Sequence, residues 1–281
     1  MKNIKLICDS LSDIPKDLIN KYNIEMVPLT VIFNDKEDVD GVDLSKMEFY
    51  KLLRNSKSIP KTSQCTYIQF LNVFKQYIDK YETILYIGGS SLLSGTLQSA
   101  TMAKNDLDGD IHIFDTESVS IGSACLVLAA ADMIQKGFEV LDIISRLEYL
   151  KSNIKTFFTV DTLDYLKKGG RVSLTKATIG NMLNIKPIFS IEDGVINCIE
   201  QVRGKKQVLN KIISNIKEKV GTDLSEKRII LAYGDNENEI NSFKEKLESE
   251  LIIGELIIEN IGSCISSHTG PEVIGIACCD I

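Results

Sequence analysis

The chain has no tryptophan, only five prolines and two histidines in 281 residues, and its cysteines never fall in a C-x-x-C pair. Two isolated histidines without paired thiols supply no zinc-ligand spacing, so no metal is expected. Also missing are G-x-x-x-x-G-K-[ST], a G-x-G-x-x-G following a strand, and the G-x-S-x-G nucleophile turn. Their absence weakens the nucleotide-hydrolysing, dehydrogenase and common hydrolase readings together. There is no excess of positive charge: 32 Lys and Arg stand against 39 Asp and Glu, a formal net charge of −7. Broad attraction to nucleic acid or to an anionic membrane is therefore not expected. The longest apolar run, Ile121 to Ala131, is too short to cross a bilayer and is interrupted by Gly122 and Ser123. Seven scattered cysteines, an odd number, fit reduced thiols better than a disulfide framework. Met1–Lys5 leads straight into a strand pattern rather than a signal core, and a cytoplasmic setting is expected.

What is present falls into two halves. Apolar strand patterns at Ile4–Cys8, Ile24–Phe33, Thr83–Ile87 and Ile111–Asp115 alternate with helical patterns at Ser45–Asn55, Tyr67–Lys80, from about Thr96, and at Ile121–Lys136. That alternation predicts a Rossmann-like α/β domain with a parallel sheet, residues 1–152. Ligands of such sheets gather beyond the carboxyl ends of the strands, where Asp9-Ser10, Ser90–Gly95 and Asp115–Ser120 all fall. The remainder, 153–281, reads as an α+β domain with a mainly antiparallel sheet. Its first signal is an Asp193-Gly194 hairpin between apolar runs.

Three phrases carry candidate chemistry. Ser90-Ser91-Leu92-Leu93-Ser94-Gly95-Thr96 follows a buried strand and opens a helix, where backbone N–H groups without helical partners attract an anion. The same hydroxyls could serve only as helix caps. Lys61-Thr62-Ser63-Gln64-Cys65-Thr66 either caps the Tyr67 helix or lends Thr62 and Ser63 to a second wall of that site. His268 lies in the phrase Ile261–Pro271, read as a loop rich in small hydroxyl residues, and its imidazole can donate to a carboxylate or phosphate. His112, within a strand, reads as structural or superficial. The helix end Leu163–Gly170 is explained by its two glycines, which leaves Arg171 over as a candidate two-pronged anion or partner contact. The acidic run Asp35–Asp43 reads as a solvated loop.

Taken in order, seven phrases resemble the DegV family of bacterial fatty-acid-binding proteins. They are Cys8-Asp9-Ser10 with Asp13 and Pro15; Lys61–Gln64; Ser91–Thr96; Asp115-Thr116 with Ser120 and Gly122; Leu163–Arg171; Leu183–Ile188; and His268–Pro271. The resemblance implies a long-chain fatty acid gripped between the two domains, with no cofactor and no chemistry of the protein's own. It implies a carboxylate held by Thr62 and Ser94, helped by Gly95 and His268, with Ser63 and Thr269 beside them. It further implies a separate ATP-dependent fatty acid kinase as partner, making acyl phosphate for phospholipid synthesis, with Arg171 outside the pocket facing that kinase. Lys61, Cys65, Cys264 and Glu272 depart from the family pattern. Other readings of the same residues are a hydrolase using Ser94 with His268, a phosphotransfer enzyme, and a sensor of lipid occupancy.

Overall fold

A computed structural model describes residues 3–171 and 185–281; Leu183 and Asn184 of the quoted phrases lie outside them. Strand β1 (Ile4–Asp9) is buried along its whole length and lies between β2 (Glu25–Val27) and β6 (Thr83–Gly88), with β7 (Ile111–Asp115) beyond. All three pairings are parallel, in the order β2-β1-β6-β7. A run of apolar residues on both faces suits such a sheet, because helices cover both sides. The covering helices are α1 (Lys16–Lys21), α3 (Tyr67–Ile78), α4 (Thr96–Asn105) and α5 (Ile121–Gln135).

The expected single strand Ile24–Phe33 is in fact two. Pro28, which cannot donate a ladder bond, separates β2 from β3 (Thr30–Phe33). Strand β3 belongs to a small antiparallel sheet with β4 (Lys36–Val39) and β5 (Lys61–Ser63). Between these strands stands α2 (Lys46–Asn55), opened by a reciprocal Ser45–Glu48 capping box. The acidic run is not a solvated loop: Asp38 and Asp40 are buried. Helix capping at Thr66 is as read, with Gln69 closing the box.

After α6 (Val140–Asn153) the chain enters a six-stranded sheet. Its strands are β8 (Lys155–Thr159), β9 (Ile185–Glu192), β10 (Val195–Arg203), β11 (Asp223–Tyr233), β12 (Ile252–Asn260) and β13 (Ile274–Asp280), in the order β10-β9-β8-β13-β11-β12. Four pairings are antiparallel and β11–β12 is parallel, because α9 (Glu237–Glu250) provides a crossover between them. The β9–β10 turn places Asp193 and Gly194 at φ 51° and 77°, the paired left-handed geometry that an Asp-Gly hairpin favours.

Alternation along these strands sends side chains to two cores. Phe157, Ile229, Leu231 and Ile276 face α8 (Lys205–Lys219) and α9. Phe158, Ile230, Ala232 and Ala277 face the other way and join one core with α5 and the parallel sheet. The two halves therefore share a hydrophobic core rather than touching through a polar seam. Two short helices, α7 (Asp164–Gly169) and α10 (Ser263–Thr269), pack on each other at the edge of that shared layer.

Candidate functional site

The three loops beyond the parallel strands do meet. Ser90 N donates to Ser118 O at 2.8 Å, Ser120 N donates to Leu11 O at 2.6 Å, and Gly89 N donates to the buried carboxylate of Asp9 at 3.2 Å. They close one end of a cavity of about 410 Å³ lying between the parallel sheet and the inner face of the six-stranded sheet. Phe158, Ile191, Ile196 and Gly275 supply the sheet wall, and Leu29, Val119, Ile121 and Ile265 line it from the opposite side. Such a size and apolar lining are those of a small-molecule site, typically roughly 300–1,000 Å³.

All of the sequence-derived candidates line this one cavity: Thr62, Ser63, Ser94, Gly95, His268 and Thr269, with Arg171. Their local settings differ from the sequence reading in two respects. Thr62 and Ser63, given no regular structure in the sequence reading, belong to a strand, β5. His268 sits in a helix, α10, rather than in a loop. Small hydroxyl residues read as loop in isolation. Here Ser267 and Thr269 return their hydroxyl hydrogens to the carbonyls of Ser263 and Ile265 four residues back, inside a buried helix.

Across the cavity mouth, Thr62 Oγ1 and His268 Nε2 are 2.8 Å apart. The second ring nitrogen, Nδ1, is buried with no partner. Burial, and then the charge of Arg171, push the imidazole down to about 4, so the ring is neutral at pH 7. A buried N–H without an acceptor is rarer and costlier than a buried lone pair without a donor, which assigns the ring hydrogen to Nε2. His268 then donates to Thr62, and the hydroxyl hydrogen of Thr62 is released toward the cavity.

Ser94 stands one residue before the N-cap of α4, which is Gly95. Its Oγ lies 2.9 Å from Thr96 Oγ1 and accepts from Thr96 N at 3.3 Å, so part of its capacity already serves the helix start. A Cβ at Gly95 would lie 2.0 Å from Oε1 of Gln64, so the Gln64 amide would have to move. Gln64 in turn donates to Ser99 at 3.0 Å, which locks the β5–α3 linker against α4.

Arg171, expected outside the pocket, lies on its rim. Its guanidinium donates to the carbonyls of Gly169 at 2.5 Å and Leu93 at 3.3 Å while the side chain stays exposed. The Ser90–Thr96 phrase itself has no basic residue, but the fold brings this one to its edge. Ser120, read from the sequence as part of the loop edge, also lines the cavity; sequence reasoning gave no role to Thr156, which lines it too, or to Cys264, a departure from the family pattern that is fully buried in its wall. His112 bonds Asp110 on the surface at 2.9 Å, as its strand position suggested. Among the described residues no cluster of side chains could hold a metal ion, and no helix is long and apolar enough to cross a membrane.

A model of the family described as "uncharacterised protein, DegV family" matches residues 3–280. The chain belongs to the DegV family. It is 39% identical over 277 residues to a DegV domain-containing protein of Caldanaerobacter subterraneus, covering 98% of each chain. Among solved structures, a DegV family protein of Thermus thermophilus described by its fatty acid binding superposes with a TM-score of 0.92 at 29% identity, covering 99% of this chain and 100% of that one. A stearic-acid-binding protein of Eubacterium ventriosum superposes with a TM-score of 0.92 at 26% identity, covering 100% and 98%. DegV proteins thus include fatty-acid binders, and this chain has their fold from end to end.

Proposed function

We propose that this DegV protein binds a long-chain fatty acid in the cavity between its sheets. The carboxylate lies among Thr62, Ser63, Ser94, Gly95, His268 and Thr269, and residues 1–152 and 153–281 act as the two jaws. The observation that carries this reading is a neutral imidazole–hydroxyl pair opening onto a mostly apolar cavity. Each buried CH₂ contributes roughly 0.8 kcal/mol, so about sixteen carbons offer on the order of 10 kcal/mol before ordering costs. A carboxylate leaving water needs several donors. The hydroxyls and the first N–H groups of α4 provide them without an ion pair.

In the same reading the protein is a carrier without chemistry of its own. It presents the head group to an ATP-dependent fatty acid kinase that docks over Arg171 and makes acyl phosphate for phospholipid synthesis. The alternative of a Ser94–His268 hydrolase finds no support in the geometry: Ser94 pairs with Thr96, His268 pairs with Thr62, and no carboxylate orients Nδ1. Seven free thiols support a reducing, cytoplasmic setting.

Native mass spectrometry of the purified protein, followed by denaturing extraction, tests the reading. A stoichiometric adduct of fatty-acid mass is expected. An apo mass that survives incubation with saturated and cis-unsaturated C16–C18 acids sinks it.

A further inference from the structure

We propose that Asp13 is a positioning residue for the head-group end of the cavity, fixing the start of α10, and with it His268, against the cavity wall at Ser120. The inference rests on the fatty-acid reading for its ligand, and on the geometry alone for its contacts. Asp13 ends the turn that follows β1 and is itself held at φ 45°. Its Oδ2 accepts from Ser120 Oγ at 2.6 Å, and its Oδ1 accepts from Gly262 N at 2.8 Å. Ser120, at φ 54°, opens α5 and lines the cavity; Gly262 is the N-cap of α10. One buried carboxylate therefore ties together elements separated by up to 249 residues.

Two non-glycine residues in the left-handed region, bonded to one another, mark backbone kept in place by its surroundings at a cost. Gly262 is confined by the same contact, since a Cβ there would lie 2.9 Å from Asp13 Oδ1. Asp40 makes a parallel contact with Ser263, one residue further into α10. The helix that carries His268 is therefore anchored at its first turn by two carboxylates, and its last turn bears the ring that meets Thr62.

Burial, partly offset by Lys46, raises the Asp13 carboxyl to about 7. The groups facing it are Lys46, Asp40, Tyr50 and Cys264. Burial also raises Asp40 from its ordinary value, while Tyr50 and Cys264 stay protonated throughout the neutral range. Above neutrality the two bonds at Asp13 are charge-assisted, and such bonds are roughly twice as strong as neutral ones. Burial costs the ionised form more than those bonds return, so the seated α10 favours the protonated carboxyl and is less firmly seated above neutrality.

The test uses the full-length protein, hexadecanoic acid labelled with ¹³C at its carboxyl, and ¹⁵N amide spectra recorded from pH 5.5 to 8.5. The free acid ionises near about 4–5 and His268 near 4, so neither titrates in this window. The Gly262 amide and the His268 ring signals are expected to move together with a midpoint near neutrality, and affinity to be about fivefold lower at pH 8.5 than at pH 5.5. Asp13→Asn should flatten both curves near the low-pH values. Asp40→Asn, measured alongside, removes a charge that raises Asp13, so the Gly262 midpoint should move down while Gly262 and His268 still titrate together. Wild-type signals at Gly262 that titrate without His268 following, or an Asp13→Asn protein that keeps the wild-type profile, overturn the inference. Should Asp13→Asn fail to fold, Ser120→Ala reads the same link: unchanged head-group ¹³C shift and affinity overturn it. Coupled Gly262 and His268 titrations in a protein that binds no acid uphold the positioning role and bring down the ligand reading alone.

Discussion

Thr62 and His268, 206 residues apart in sequence, meet through a single hydrogen bond of 2.8 Å at the polar end of an apolar cavity. One partner comes from a three-residue strand, the other from a seven-residue helix. Neither element has a core of its own, so the contact depends on the shared layer between the two sheets. The neutral ring spends its one hydrogen on Thr62, and Thr62 passes a hydrogen on to whatever occupies the cavity.

Removing the hydroxyls of Thr62 and Ser94 together should therefore cost affinity and not the fold. Hydrogen bonds to a charged acceptor contribute about 1.5–3 kcal/mol each, and the double change Thr62→Ala with Ser94→Ala is expected to weaken fatty-acid binding by at least about 100-fold. Both side chains are partly exposed to the cavity, and thermal stability should stay within a few degrees. Calorimetric titration with hexadecanoic acid checks this; an unchanged Kd would remove the head group from this end of the cavity.

Arg171 offers a separate test of the carrier reading. Its guanidinium spans Gly169 and Leu93 at the rim and remains exposed. Arg171→Ala should leave fatty-acid affinity within about threefold, since an exposed charge interacts weakly across solvent. In the presence of a fatty acid kinase and ATP, acyl phosphate formation should fall by at least tenfold. Equal loss of affinity and turnover would place the guanidinium on the head group instead.

The sequence displayed the parallel sheet clearly because its strands are buried on both faces and read as unbroken apolar runs. The Asp193-Gly194 hairpin was legible from two residues. Three features were not. Strand β5 is three residues long and polar, and its pairing with β3 comes from chain geometry rather than composition. Helix α10 is rich in hydroxyl residues of low helical preference, and is held by Asp13, Asp40 and Tyr50, all remote in sequence. The burial of Asp38 and Asp40 ran against an acidic run that otherwise suggests solvent. Long-range polar contacts built the site, and no periodicity encodes those.

The acid limb of stability should carry the mark of His268. Its folded value of about 4 lies below the ordinary 6.5. Between these pH values the unfolded chain binds a proton that the folded chain does not, so stability falls as pH drops through that window. Asp13, raised from 3.8 to about 7, acts in the opposite sense: its contribution is full below pH 4 and fades as pH rises toward 7. His268→Gln should remove the first effect and leave the second. Melting temperatures from pH 4 to 8 check this: relative to wild type, the variant should gain as pH falls below 6.5. A constant offset would mean that the ring is solvated in solution.

Gly169→Ala sets helix propensity against packing. Alanine at the last residue of α7 gains up to about 1 kcal/mol from propensity alone, and nothing in the backbone there requires glycine, since the left-handed C-cap is Gly170. An added Cβ, however, would lie 2.2 Å from Nδ1 of His268 and 3.1 Å from Cε1. The ring cannot simply swing aside, because its Nδ1 edge is buried and Thr62 holds its other nitrogen. Overpacking of this kind costs about 1–3 kcal/mol, and its relief requires breaking the Thr62–His268 bond. Fatty-acid affinity is therefore expected to fall by at least tenfold, with a net loss of stability despite the better helix former. The ring signals of His268, compared between wild type and variant, decide the cause. A shifted resonance with its value returned toward 6.5 would show the imidazole expelled; an unmoved resonance with wild-type affinity would show that α7 gives way instead.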